Sequence, residues 1–183
     1  MHPAVAVMTS RPNGLPVFAL QFDASLIPTL ASRYSYPPEG RVADEIGPAV
    51  RERGFFTRPE LIDVCAWKTA RSRSRVAANT DEEVRETTRL ALSAKTEALR
   101  IWIPMALSGV RWPTASVLLH FGHRDRYPIL DYRALEALGV TEPVNYTVPF
   151  WNAYVAACRQ IDDQTGFGMR IIDRAMWQWS KER

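Results

Sequence analysis

Apolar residues recur at three- and four-residue steps along much of the chain, and this spacing constrains the fold more than any other feature. The step is repeated in runs that begin at Leu99, Ala115, Ala134, Phe150 and Met169. Residues three or four apart lie on one face of a helix, whereas the alternation typical of strands is scarce. We therefore predict an all-α fold, a bundle of about eight or nine helices.

Proline is concentrated in the first forty residues, which contain six of the thirteen prolines. Because proline lacks an amide hydrogen and interrupts helices, this part is predicted to form loops and short helices. Residues 1–56 are expected to pack in this form on a helical core of residues 57–183. Two capping boxes, at Thr57 and at Thr80, mark helix starts in that core.

Composition and charge limit the classes of function. The chain has 183 residues, of which 46% are hydrophobic, so it is expected to form one compact domain or two small lobes. The net charge is only +3, and a polyanionic partner must be recognised from local clusters. The two cysteines, Cys65 and Cys158, lie in apolar helical patterns and are too few for a four-cysteine metal or iron–sulfur site. No signal peptide or membrane-spanning run is recognised, so we expect a soluble, cytoplasmic protein without membrane contact.

The segment from Leu107 to Ser116 contains a tight turn at Gly109 between two helical patterns, with Pro113 early in the second one. Such a turn leaves backbone N–H groups of the second helix unpaired, and the helix dipole adds positive potential there. A phosphate would fit at this position. The alternative interpretation is a plain corner between two helices.

This segment, Leu-Ser-Gly-Val-Arg-Trp-Pro-Thr-Ala-Ser, resembles the hairpin motif Leu-Pro-Gly-Val-Gly-x-Lys-Thr-Ala of the helix-hairpin-helix DNA glycosylase superfamily. Without a gap, the matching positions are Leu107, Gly109, Val110, Thr114 and Ala115. Asp131 lies eighteen residues beyond Pro113, at the separation where the family has its essential aspartate. The resemblance extends to Leu138 and implies a glycosylase-like bundle. Its helix-hairpin-helix would span about 95–123, and its aspartate helix would span 131–139.

Three departures from the family pattern restrict what the resemblance implies. Pro113 occupies the slot of the Schiff-base lysine, so no lyase activity is implied. Arg111 replaces the second glycine, where hairpin carbonyls of the family often hold a monovalent cation; this argues against the cation, and no other cofactor is expected. The four-cysteine iron–sulfur motif is absent, and His120 and His123 lack a third metal ligand, so no metal site is predicted.

The resemblance assigns catalysis to Asp131. Cleavage of an N-glycosidic bond builds positive charge on the sugar, and a fixed carboxylate stabilises that charge in the transition state. The same group can orient or deprotonate the attacking water. Without the lysine, the implied product is an abasic site. Asp131 also stands just before a helical pattern, so pure N-capping is the alternative.

A flipped base must be held in a stacking pocket, and aromatic residues near the motif are candidates for its walls. Trp112, Tyr127 and Tyr132 flank the proposed site, and Trp67 is expected to approach it from an earlier helix. Each of these residues is also a candidate for the hydrophobic core.

Phosphate contacts are predicted from the segment between Lys68 and Arg75, which holds four cations and three hydroxyls without an acid. The alternative is a solvated helix end. The predicted backbone-binding residues are Lys68, Arg71, Arg73, Arg75, Gly109, Arg111, Thr114 and Arg133.

Together these features predict a monomeric, nucleoid-associated DNA glycosylase that hydrolyses the N-glycosidic bond of a flipped, damaged or modified base in double-stranded DNA. The main alternative is a non-catalytic helix-hairpin-helix module that binds DNA. A third is an all-α interaction protein that does not bind nucleic acid. Repair of the cell's own DNA and attack on modified foreign DNA are both compatible with the sequence.

Overall fold

The computed structural model describes residues 14–141 and 143–183, and the regular elements in these ranges are all helical. This confirms the all-α prediction. The ten α-helices are α1 (Ile27–Ser32), α2 (Gly47–Arg53), α3 (Arg58–Lys68), α4 (Arg73–Val76), α5 (Asp81–Ser93), α6 (Glu97–Trp102), α7 (Trp112–Gly122), α8 (Tyr132–Ala137), α9 (Val148–Thr165) and α10 (Met169–Lys181). The remaining helical turns are 3-10 helices at Ala24–Leu26, Ala70–Ser72 and Ile103–Ala106, and a π-helix at Val42–Ile46.

The number of helices in the described residues exceeds the predicted eight or nine because several helices are short. Helix α4 has four residues, and α1, α6 and α8 have six each. A helix of one or two turns contains too few apolar residues to display a period of 3.6. The predicted starts at Thr57 and Thr80 are confirmed, since each backbone N–H donates to the glutamate three residues later, at 2.8 Å and 2.7 Å.

The described residues divide into two compact units. The first unit comprises residues 14–36, 128–141 and 143–183, and the second comprises Pro37–Tyr127. The sequence placed its boundary at residue 57, but residues 14–36 and 37–56 belong to different units. Residues 1–13 of the predicted N-terminal segment lie outside the described residues. Proline marks local interruptions of the chain, whereas the units are defined by contacts between distant segments.

In the first unit, α10 packs against α1, α8 and α9. Trp151 and Tyr154 of α9 are fully buried. The Tyr154 hydroxyl donates to the carbonyl of Ile129 at 2.7 Å, and a carboxylate oxygen of Asp173 accepts the Ile129 N–H at 3.2 Å. Both backbone groups of Ile129 are therefore held from the core, and this fixes the chain as it enters α8.

In the second unit, α7 is the central helix and contacts α2, α3 and α6. Its residues Val117, Leu118 and Leu119 are almost fully inaccessible. Burial of each such side chain contributes about 1.5–3 kcal/mol. A Cβ atom at Gly122 would lie 2.6 Å from the ring of Phe56, so the end of α7 packs directly on that ring.

The two cysteines are buried and free, as expected for small apolar side chains: Cys65 in α3 and Cys158 in α9. None of the helices in the described ranges is both long and apolar enough to cross a bilayer. The described residues contain no group of three or more His, Cys, Asp or Glu side chains arranged to hold a metal ion.

Candidate functional site

Two helical segments flank the predicted turn at Gly109. Helix α6 continues into the 3-10 helix Ile103–Ala106, Gly109 takes a left-handed conformation with φ of +80°, and α7 begins two residues after Val110. Pro113 lies in the first turn of α7, where the missing amide hydrogen costs no hydrogen bond. Two helical segments joined by a turn therefore lie between Glu97 and Gly122, within the range of about 95–123 predicted for the helix-hairpin-helix.

The turn packs closely on α4. This helix carries Arg73 and Arg75 of the segment 68–75, which we call the basic segment. A Cβ atom at Gly109 would lie 2.8 Å from the backbone nitrogen of Val76 and 3.0 Å from Cβ of Arg75. Only glycine permits both this approach and the positive φ. The amide of Asn79 joins the same elements, since its Nδ2 donates to Ser108 O at 3.0 Å and its Oδ1 accepts from Ser108 N at 2.8 Å.

A cleft of about 250 Å³ lies where the turn meets the basic segment; we call it the basic cleft. It is lined by Thr69, Arg71, Ser72, Arg75, Gly109, Arg111, Pro113 and Thr114. Five of the eight residues predicted to contact DNA phosphates are thus brought together. The lining contains three arginines and no carboxylate, so the cleft suits an anion.

The hydroxyl groups of the basic cleft have mainly structural partners. Thr114 Oγ1 accepts the N–H of Arg111 at 2.8 Å and donates to its carbonyl at 3.0 Å, and Ser72 Oγ donates to Thr69 O at 2.9 Å. The arginines Arg71, Arg75 and Arg111 are exposed, and one guanidinium nitrogen of Arg111 donates to Val110 O at 2.6 Å. The guanidinium groups, rather than the hydroxyls, are therefore the groups available to an anionic ligand.

The other predicted phosphate contacts are not in the lining of the basic cleft. Lys68 is the last residue of α3 and is half-buried, and Arg73 is exposed at the start of α4. Arg133 belongs to the first unit, where its guanidinium lies 5.0 Å from the ring centre of Tyr132 and 5.3 Å from that of Trp177. Arg133 is thus engaged in cation–π contacts.

Asp131 is the N-cap of α8, and its Oδ1 accepts the N–H of Arg133 at 2.9 Å. This agrees with the capping role inferred from the sequence. The side chain is only partly buried. The hydrogen bond fixes the carboxylate at the start of the helix.

Two tyrosines that the sequence did not indicate lie within the electrostatic reach of Asp131. Burial raises the pKa of Tyr36 and of Tyr146, and the negative charge of Asp131 raises both pKa values further. Burial likewise raises the pKa of Tyr154 well above its usual range, with smaller contributions from Cys158, Asp173 and Asp131. No sequence signal relates Tyr36 to Asp131, because the two residues are far apart in the chain.

Helix α10 holds the segment that carries Tyr36. Gln178 Oε1 accepts from both the backbone N and the hydroxyl of Ser35 at 3.1 Å, and Lys181 Nζ donates to the same hydroxyl at 2.8 Å. The ring of Tyr36 packs edge-on against Trp177, with ring centres 5.4 Å apart. The position of Tyr36 is therefore determined by the C-terminal helix.

A second cavity, of about 410 Å³, lies beside α8 in the first unit. Its lining residues are Tyr132, Leu135, Glu136, Val140, Thr141, Pro143, Val144 and Tyr146. Tyr132, which is 64% exposed, was predicted as a pocket residue, and Tyr146 is one of the tyrosines influenced by Asp131. Two aromatic rings, an apolar wall and one carboxylate are typical of a site for a planar, polar ligand.

Two of the aromatic residues predicted for the base pocket have core contacts instead. Tyr127 is 1% exposed; its hydroxyl donates to Glu97 Oε2 at 2.6 Å and accepts from Arg100 Nη1 at 2.8 Å. Burial and the hydrogen bond to Glu97 raise the pKa of Tyr127 to about 12. Trp67 is half-buried, donates to Pro37 O at 3.2 Å and packs edge-on against another ring of the second unit. Tyr127 therefore presents no ring face to a ligand.

Trp112 forms a pair with a tryptophan that the sequence analysis did not select. Its ring centre lies 5.5 Å from that of Trp102, at an interplanar angle of 62°. Trp102 is 52% exposed. Trp102 stood in the apolar helical run that begins at Leu99, which favours burial and gave no sign that this residue is on the surface.

No family model, curated protein or solved structure matches this chain. The likeness to the glycosylase superfamily therefore depends on the hairpin residues and on the position of Asp131. Two clusters in the described residues bear on function, the basic cleft and the surroundings of Asp131.

Proposed function

We propose that the protein is a monofunctional DNA glycosylase of the helix-hairpin-helix type, which hydrolyses the N-glycosidic bond of an extrahelical base and leaves an abasic site. The observation that carries this proposal is the setting of Asp131. Its partly exposed carboxylate is fixed at the start of α8 and influences the phenols of Tyr36 and Tyr146.

The chemistry required of Asp131 is electrostatic. As the base leaves, the sugar gains positive charge, and a carboxylate held beside it stabilises the transition state more than the ground state. Water is the proposed nucleophile, because Pro113 stands where bifunctional members of the superfamily have their lysine. Tyr36 and Tyr146, whose pKa values lie above the ordinary value of 10.0, are protonated at neutral pH, so both can donate hydrogen bonds and stack on a base without adding negative charge.

The basic cleft supplies the proposed contact with the DNA backbone. Arg71, Arg75 and Arg111 line the cleft at the start of α7, where the helix dipole also favours an anion. Each phosphate neutralised by such a site releases counterions, so affinity for DNA should fall steeply as salt is added. The cleft thus supports the DNA-binding part of the proposal.

A non-catalytic DNA-binding module is the second candidate, and one observation favours it. Asp131 accepts the N–H of Arg133, so helix capping alone accounts for an aspartate at this position. A module of this kind would bind DNA through the basic cleft and release no base.

The decisive experiment is to incubate the protein with duplex DNA that carries a panel of altered bases, and to score alkali-labile sites. Asn caps helices as well as Asp, so Asp131→Asn should preserve folding and DNA affinity. Base release should fall roughly a hundredfold or more, the usual contribution of such a group. Asp23→Asn is the matched control, because Asp23 also caps a helical turn, by accepting the N–H of Ser25 at 2.8 Å.

Each other result has a definite meaning. Base release by Asp131→Asn at the wild-type rate would refute the catalytic role of Asp131. Binding of duplex DNA without release of any base in the panel would favour the non-catalytic module. A strand break that forms without alkali would contradict the assignment of water as the nucleophile. Absence of binding at low salt would exclude both candidates.

A further inference from the structure

A pair of tryptophans, Trp102 exposed and Trp112 half-buried, lies on the second unit and has no role in base removal as proposed above. Trp102 ends α6, Trp112 begins α7, and their ring centres are 5.5 Å apart. Trp102 leaves 52% of its surface accessible, although tryptophan is among the most buried residue types on average. An exposed indole offers a flat ring face on which a planar ligand can stack. We call these two residues the indole pair.

The indole pair adjoins the basic cleft through the chain itself. Trp112 stands between Arg111 and Pro113, and both of these neighbours line the cleft. The cleft also presents Arg71 and Arg75 without any carboxylate in its lining. The second unit therefore carries an aromatic pair whose Trp112 is bonded on both sides to residues that line the cleft.

The combined chemistry matches one ligand class. A nucleotide carries an anionic phosphate beside a planar base, and single-stranded nucleic acids are bound by cationic grooves flanked by aromatic side chains. In duplex DNA the faces of the bases are covered by their neighbours, so an indole can stack only on an unpaired base or at an opened step. Charge complementarity disfavours a basic protein partner at this surface.

We propose that the indole pair and the basic cleft form a binding subsite for unpaired nucleotides of a DNA strand. A base stacks on the indole of Trp102, and the adjacent phosphates contact Arg75 and Arg111. This subsite needs no bond cleavage and does not involve Asp131, so it goes beyond the proposed glycosylase activity.

Fluorescence anisotropy of end-labelled oligonucleotides at low salt tests the subsite in the full-length protein. The two probes are an oligothymidylate and an abasic oligomer of the same length, which has the phosphates but no bases. Stacking of one base should make the thymidylate bind roughly tenfold more tightly than the abasic oligomer. Trp102→Ala should remove this difference without changing the affinity for the abasic oligomer.

Two variants on the same helix serve as controls. Trp102→Phe retains an aromatic face and should keep most of the preference for the thymidylate. Leu99→Ala removes an apolar side chain of α6 with a similar exposed fraction, 51%, and should change neither affinity.

The cationic part of the subsite has its own test. Arg75→Ala should weaken both oligomers by a similar factor and reduce the slope of log affinity against log salt by about one. Arg85→Ala, at an exposed position of α5, is the charge-matched control and should leave the affinity for both oligomers close to that of the wild type.

The subsite is refuted if the two oligomers bind equally to the wild-type protein, or if Trp102→Ala preserves the preference for bases. Failure of the glycosylase proposal would look different. In that case Asp131→Asn and the wild type would bind the thymidylate equally well, while neither would release a base from duplex DNA.

Discussion

Gly109 closes the turn before α7 and brings that turn into contact with α4, which carries Arg75 of the basic cleft. Its positive φ closes the turn before α7, and its missing side chain lets that turn contact Val76 and Arg75. The basic cleft exists because these segments approach each other. The sequence indicated the turn, since glycine is the residue that favours this backbone conformation, but it did not indicate that the turn contacts α4.

We predict that Gly109→Ala destabilises the protein by about 2–4 kcal/mol, because a left-handed alanine is strained and its Cβ would overlap Val76. Affinity for DNA should fall as well, since the cleft would be displaced. Denaturant unfolding and DNA titration measure the two effects.

Gly54→Ala is the matched control. Gly54 has a similar φ of +84°, but no atom lies within 4 Å of the position of its Cβ. Gly54→Ala should lose about 1–2 kcal/mol of stability, from backbone strain alone, and it should keep the DNA affinity of the wild type. Equal destabilisation of the two variants would contradict the close packing inferred at Gly109.

At the scale of elements, the short helices and their side-chain contacts position both clusters. Asn79, which follows α4, binds the backbone of Ser108 with both ends of its amide. No sequence pattern connects this asparagine with a segment about thirty residues later in the chain. The hydrogen bonds of α10 to Ser35 also join segments that are far apart in the sequence, and they hold the neighbouring Tyr36 in place.

Asn79→Ala should therefore lower the free energy of unfolding by about 2–3 kcal/mol, since it removes the hydrogen bonds of the buried Asn79 amide to the backbone of Ser108 and Val76. It should also weaken DNA binding, because the turn is no longer held against α4. Asn152→Ala, on the exposed side of α9, should change neither quantity. Unaltered stability of Asn79→Ala, measured by urea unfolding, would show that these hydrogen bonds do not hold the turn.

For the whole molecule, the buried cysteine thiols and tyrosine phenols predict that the free energy of unfolding decreases at alkaline pH. Burial raises the pKa of the Cys65 thiol to about 12, from an ordinary value of 9.0, and that of Tyr127 rises to about 12 from 10.0. Burial also raises the pKa values of Cys158 and Tyr154. The unfolded chain therefore loses these protons at lower pH than the folded protein does.

The free energy of unfolding therefore falls as the pH rises. The contribution of these groups to stability is complete below about pH 9 and is lost progressively as the pH rises toward 12. Urea midpoints measured between pH 8 and pH 11 should decline. Tyr127→Phe should flatten the decline while costing about 1–3 kcal/mol at pH 8, because Glu97 and Arg100 lose a hydrogen-bonding partner. Tyr132→Phe, at an exposed ring, is the control, and a constant midpoint across this range would refute the prediction.

The sequence by itself determined the helical class, two capping boxes, the turn at Gly109 and the cap at Asp131. These features depend on residues within a few positions of one another, so local periodicity and backbone preference are sufficient to predict them. Only the tertiary structure decided that Tyr127 is a core residue, that Trp102 is exposed, and that the charge of Asp131 reaches Tyr36. Those outcomes depend on packing between segments distant in sequence, and the same apolar or aromatic residue type can occupy either a core or a surface position.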